Sequence, residues 1–219
     1  MKSILLENGI NKGNLPSLYP LLKQWQSIIE ATTKEWIKSK DALWWYNERA
    51  SLGLLAGAVW QLKGFVFEEY TTLRKIHTQR RVSYKHGRCD MEFRLGRQYY
   101  IAESKQCWPT LGLHKERALP IVKSELEQAR SQVAQVKANG YHPLAIAFVV
   151  PKIPVNYDNK EHNLQANLSE FIRELSSLPK TTVAWVFPKE TRGLRTPKDN
   201  RYYGYFFPGV ILVAKSCKA

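Results

Sequence analysis

Asp90, Glu103 and Lys105 are residues whose types and spacing suit chemistry. They lie in or beside two short runs, Cys89–Leu95 and Gln98–Lys105, separated by Gly96-Arg97. The first run alternates apolar with charged residues and the second is rich in Tyr and Ile, so both read as strands. Gly at the first central position of Gly96-Arg97 suits a tight hairpin turn. A two-residue loop then sets Leu95 against Gln98, Phe93 against Tyr100, Met91 against Ala102 and Asp90 against Glu103. A four-residue loop closing at Arg94 and Tyr99 keeps this register, whereas a three-residue loop breaks it. Like charges directly opposed across a strand pair destabilise it, so a positive group belongs between Asp90 and Glu103. Glu103 and Lys105 are two apart and share a face, joined there by Asp90, Glu92 and Arg94. Cys89, Met91, Phe93 and Leu95 point the other way with Tyr100 and Ala102, toward the core. Hard cations such as Mg²⁺ take oxygen ligands, often one or two carboxylates with phosphate oxygens and water. A lysine beside such an ion stabilises developing negative charge or positions an attacking water. The constellation suits metal-assisted phosphodiester hydrolysis; an exposed, salt-bridged hairpin face is the bland alternative.

The elements that must position these groups follow from hydrophobic spacing. Leu18, Leu21, Leu22, Trp25, Ile28 and Ile29 predict a helix over roughly 16–38. Asp41 is a candidate cap for a second helix from about 42 to 63. On that helix Glu48 continues the stripe of Leu52, Leu55, Val59 and Leu62. A buried carboxylate needs a cation, a metal or hydrogen-bond donors; the plainer reading places Glu48 at the helix rim, in water. Phe65–Arg74 and Arg81–Tyr84 read as strands leading into the hairpin. Pro120 suits the first turn of a helix ending before Gly140, with an apolar stripe of Val122, Leu126, Ala129, Val133 and Val136. Pro143–Val150 is a continuous apolar run, consistent with a buried strand. Leu164–Leu178 is amphipathic, and Thr181–Phe187 and Phe206–Ala214 read as later strands, the last interrupted by Pro208-Gly209. This order implies an α/β protein with a central mixed β-sheet flanked by helices. We expect one domain over 1–219: a helical extension at 1–40, a core at 42–150, and a helix and strands at 151–219 completing it.

Charge points to polyanions. The chain has 33 Lys and Arg against 19 Asp and Glu, a formal net charge of +14, which favours phosphate polymers or anionic surfaces. One basic segment, Lys75–Arg88, leads straight into Asp90 and offers Arg80, Arg81, Lys85, His86 and Arg88 as nucleic-acid contacts. A second, Lys189–Arg201, offers Arg192 and Arg195 among Gly and Pro and reads as a loop. Three scattered cysteines, Cys89, Cys107 and Cys217, suggest neither a disulfide framework nor a zinc site, and a reducing cytoplasm fits them. No apolar stretch is long enough to cross a membrane, and the apolar part of the N-terminus is short for a signal peptide.

Glu48, Asp90 and Glu103-Ser104-Lys105, in this order and on these elements, resemble the PD-(D/E)XK nuclease superfamily, the restriction-endonuclease-like fold. The resemblance covers roughly residues 42–150 and implies an α-β-β-β-α-β core. Cys89 stands where a proline often precedes the aspartate. The resemblance implies that Asp90 and Glu103 ligate Mg²⁺ or Mn²⁺, helped by the backbone carbonyl of Ser104, and that Lys105 orients the hydrolytic water. It implies that Glu48 acts on a metal or through water. The expected activity is metal-dependent endonucleolytic cleavage of DNA, in defence, transposition or repair; the alternative is a nucleic-acid-binding protein of this fold that does not cleave. No sequence-reading module is recognisable, so specificity falls to loops such as 189–204, the N-terminal helix or a protein partner; cutting both strands implies a homodimer. Glu92, Gln128, Gln132, His86 and His114 are weaker site candidates, for which solvent or packing roles are the simpler expectation. Cys107, Trp108, Trp44 and Trp45 are expected in the core or at an interface.

Overall fold

The architecture follows from two apolar layers built on opposite faces of one sheet. In a computed structural model, residues 8–11, 13–77, 82–112, 115–136, 139–155, 161–191, 194–196 and 204–217 are described. Among them, strands β1 (Asn8–Asn11), β2 (Phe65–His77), β3 (Val82–Leu95), β4 (Gln98–Cys107), β5 (His142–Val149), β7 (Thr181–Val186) and β9 (Val210–Ser216) form a seven-stranded mixed sheet in the order β1-β7-β9-β5-β4-β3-β2. Short strands β6 (Ile153–Pro154) and β8 (Tyr205–Phe206) pair apart from it. Helices α1 (Tyr19–Trp36) and α2 (Glu48–Gln61) cover one face; α3 (Ala118–Ala134) and α4 (Glu161–Ser176) cover the other. The first layer packs Leu22, Trp25, Ile29, Leu55 and Val59 on Met91, Phe93, Ile146, Phe148 and Leu212. The second packs Val122, Leu126, Ala129, Phe171 and Leu175 on Ala145, Ala147, Val149, Ile211 and Val213. β5 lies between both layers, which is why 143–150 reads as unbroken apolar sequence. No helix among the described residues is long and apolar enough to cross a membrane.

The hairpin takes the two-residue loop. Gly96 adopts φ +57°, and the rungs Leu95↔Gln98, Phe93↔Tyr100 and Met91↔Ala102 match the counted register. After β4 the chain crosses through α3 and returns as β5, parallel to β4.

Three boundaries differ from the sequence reading. The second helix starts at Glu48, not near 42, because Asn47 is its cap and accepts the Ala50 N–H at 3.2 Å. Asp41 instead accepts the Ala42 N–H at 2.7 Å and the Tyr46 hydroxyl. The segment 81–84 is no separate strand: β3 runs unbroken from Val82 to Leu95. Residues 83–88 are exposed or half-exposed and show no apolar alternation to mark them as strand. Strand β1 at the far sheet edge was not anticipated; its four residues carry one large apolar side chain, Ile10.

Candidate active site

Asp90 sits where β3 leaves β4. Met91↔Ala102 is the last rung between them, and the next position outward would join Asp90 to Glu103. On its other side β3 stays paired with β2, but the Glu69–Asp90 rung is missing, and Glu69 takes φ +49°, a left-handed conformation rare for residues other than glycine. This paired kink reverses the inside-outside alternation of both strands. Met91 packs in the α1/α2 layer, yet Cys89, two residues earlier, packs with Ile101 and Val133 on the opposite face. The expectation that Cys89 shares the face of Met91 is therefore corrected. Cys89 lies close enough to Glu103 for that charge, after burial, to help push its thiol up to about 12.

The kink leaves Asp90 free to turn into the gap. Its Oδ2 accepts the Ser104 N–H at 2.7 Å and the Ser104 hydroxyl at 3.3 Å. The same hydroxyl lies 2.9 Å from Glu48 Oε1, so Ser104 links the two carboxylates. Glu103 is buried, with 2% of its surface exposed, and lies within hydrogen-bonding contact of Asp90. Lys105 Nζ donates to the Ser104 carbonyl at 2.7 Å and is near enough to Glu48 to act on its charge. Glu48, Asp90, Glu103, Ser104 and Lys105 thus converge on one place.

Electrostatics mark the cluster as short of positive charge. Burial, then the Asp90 charge, push Glu103 up to about 7 although the Arg74 guanidinium opposes both. Burial also raises Glu48, with Asp90 adding to it, while Lys105 and the Ser104 hydroxyl pull it back. Among the described residues, three carboxylates share two cations.

The second of those cations, Arg74, was absent from the sequence reading. Its guanidinium forms an ion pair with Glu103 Oε1, and donates to the Gln132 carbonyl at 3.1 Å and the Arg88 carbonyl at 3.0 Å. Gly87, on the neighbouring strand, leaves room for it: a Cβ there would fall 2.7 Å from Arg74 Cδ. Gln106 and Ser51 were missed as well. Buried Gln106 accepts the Ser51 hydroxyl at 2.7 Å and donates to the Tyr46 carbonyl at 2.8 Å. These bonds fix the start of α2 against β4 and so hold Glu48 over Ser104. No spacing rule could have flagged Arg74 or Gln106, because both bonds join residues remote in sequence.

The weaker candidates separate. Glu92 accepts the Tyr141 hydroxyl at 2.8 Å and also meets Tyr70, so it is engaged away from Asp90. Gln128 is exposed. Gln132 touches the site through its main-chain carbonyl, while its buried Oε1 has no hydrogen-bond partner. Lys85, His86 and Arg88 are exposed on β3, and Arg88 lies 3.4 Å from Glu69. Arg195 is exposed, beside Phe206 across an isolated bridge. Arg80, Arg81, His114 and Arg192 lie outside the described residues. Cys107 and Trp44 are buried, as packing predicts.

The donor set is all oxygen, of the kind Mg²⁺ accepts: two carboxylates and a main-chain carbonyl. Its surplus negative charge fits a divalent cation. Among the described residues no three His, Cys, Asp or Glu side chains are disposed together as ligands, and Arg74 and Lys105 now satisfy the Glu103 and Ser104 oxygens that an ion would use. Comparison with protein-family models, with curated proteins and with solved structures finds no match to this chain.

Proposed function

We propose that this chain is a Mg²⁺- or Mn²⁺-dependent endonuclease acting on DNA, and that α2-β2-β3-β4-α3-β5 forms a restriction-endonuclease-like core. The observation that carries this reading is the contact between Asp90 and buried Glu103 beside Ser104 and Lys105. Two carboxylates brought together in a partly buried gap cost stability, and a structural role gives no return for that cost.

Asp90, Glu103 and the Ser104 carbonyl would hold the ion. When bound, the ion supplies positive charge to the phosphate and lowers the proton affinity of water. Lys105 leaves the Ser104 carbonyl, hydrogen-bonds the attacking water and faces the charge that builds on the phosphorus oxygens. Glu48 holds the Ser104 hydroxyl, and through it the orientation of Asp90. Arg74, ion-paired with Glu103, would give up that oxygen to a bound ion. Defence, transposition and repair all suit such an enzyme, acting as a homodimer or with a partner that supplies specificity; Arg192 and Arg195 are proposed phosphate contacts.

The Arg74–Glu103 pair favours one second reading, a protein of this architecture that binds DNA without cutting it. Incubating plasmid, linear, single-stranded and branched DNA with wild type and Lys105→Ala separates the two. The nuclease reading expects metal-dependent strand breaks that EDTA stops and Lys105→Ala loses while still binding DNA. Equal cleavage by Lys105→Ala refutes the lysine's role; binding without cleavage in Mg²⁺ and Mn²⁺ supports the second reading.

A further inference from the structure

Beyond the kink at Asp90, β2 and β3 continue without a third strand. Eight rungs, from Tyr70↔Cys89 to His77↔Val82, form a two-stranded ribbon, roughly 23 Å long at about 3.3 Å per residue. One face of this ribbon leans on α3, where Arg74 reaches the Gln132 carbonyl and the Lys75 N–H donates to the Gln135 carbonyl at 2.6 Å. The opposite face consists of the cross-strand pairs Thr71–Arg88, Leu73–His86 and Lys75–Tyr84, all six exposed. Leu73 and Tyr84 are 39% and 47% exposed, so part of the apolar surface of each faces solvent.

We propose that this face enters the major groove of duplex DNA and positions the scissile phosphate at Asp90; the proposal rests on the nuclease reading. Charge identifies the occupant. Residues 70–89 contain six Lys or Arg and no Asp or Glu; Lys75 and Arg88 lie on this face, Arg88 3.4 Å from Glu69 at its base, while Arg74 and Lys85 pair on the other face. Charged residues on a free strand edge commonly guard against aggregation, but acidic residues would serve that purpose equally, and here every charge is positive. The major groove admits a two-stranded β-ribbon. The face offers what base edges and phosphates recognise: a lysine, an arginine, an imidazole, two hydroxyls and an apolar surface suited to thymine methyl groups. The ribbon also starts at the candidate site, so docking it in a groove sets the backbone beside Asp90 and Glu103.

The test compares wild type with Lys75→Ala/Tyr84→Ala/His86→Ala, all on the exposed face of the ribbon. Binding to a short mixed-sequence duplex and to its single strand is followed by fluorescence anisotropy in EDTA, with dimethyl sulfate footprinting of guanine N7. We expect N7 protection by wild type. The triple variant, with wild-type circular dichroism, should lose that protection and bind the duplex roughly tenfold or more weakly, with a salt dependence shallower by about one. Unchanged affinity and protection in the variant overturn the proposal, as does duplex binding by wild type without N7 protection. So does a wild-type dimer that the variant dissociates while DNA binding is unchanged, since the occupant is then a second copy. N7 protection without cleavage in metal removes the nuclease reading alone; cleavage with an indifferent ribbon removes this inference alone.

Discussion

Replacing Glu103 with glutamine should stabilise the metal-free protein, and more so as pH rises. The buried Glu103 carboxyl is pushed from an ordinary 4.5 up to about 7 by burial and by Asp90. That difference corresponds to about 3 kcal/mol. The sign follows from which form the fold prefers. With its folded value raised, Glu103 contributes this stability below about pH 4.5 and loses it as pH climbs toward about 7. Glutamine is neutral throughout. Its amide can donate to Asp90, where the ionised glutamate repels, and its oxygen can still accept from Arg74. The stability difference between variant and wild type should therefore grow by up to about 3 kcal/mol between pH 5 and pH 8, all other titrations being common to both. For a chain of this size that is a change of roughly 6–12 °C in the Tm difference. Thermal unfolding of both proteins in EDTA, followed by circular dichroism across this range, measures it. A Tm difference that is flat with pH, or a variant that loses ground as pH rises, would refute the claim that Glu103 is a strained, charge-starved carboxylate.

Three further outcomes follow from the same contacts. Arg74→Met should cost about 3–5 kcal/mol at pH 8, where Glu103 loses its ion-pair partner, and less at pH 6, where protonation relieves it; chemical denaturation at both pH values checks this. Gln106→Ala should cost about 1–3 kcal/mol by leaving Ser51 and the Tyr46 carbonyl without their buried partner, read from urea midpoints. Mg²⁺ or Mn²⁺ should raise the wild-type Tm, by about 2.7 kcal/mol of stability at a hundredfold excess over Kd, and should leave Asp90→Asn unmoved in the same scanning assay.

Much of the site was legible because its signals are local. Gly96-Arg97 and the alternation on either side set the register of the hairpin, and the steps of four, three and four residues from Glu48 through Leu52 and Leu55 to Val59 oriented the helix. What escaped detection depends on distant contacts or on strain. The reversal at Cys89 comes from Glu69, whose left-handed backbone has no residue-type signature. The outer half of β3 is exposed on one face and packs lightly on the other, so no hydrophobic period announces it. Arg74 reads in sequence as the last residue of a strand, just before a basic tract; only the ribbon pairing and the gap over Gly87 bring it to Glu103. Asp41 and Asn47 are both good capping residues, and the single turn at Leu43–Trp45 separates them.

Single-turnover cleavage of supercoiled plasmid by wild type and Asp90→Asn, with DNA binding of each measured in parallel in EDTA, tests the central claim most directly. Wild type should nick or linearise the plasmid only with metal, and Asp90→Asn should lose this cleavage while retaining DNA binding. Cleavage by Asp90→Asn at the wild-type rate, or cleavage by wild type that persists in EDTA, would contradict that claim.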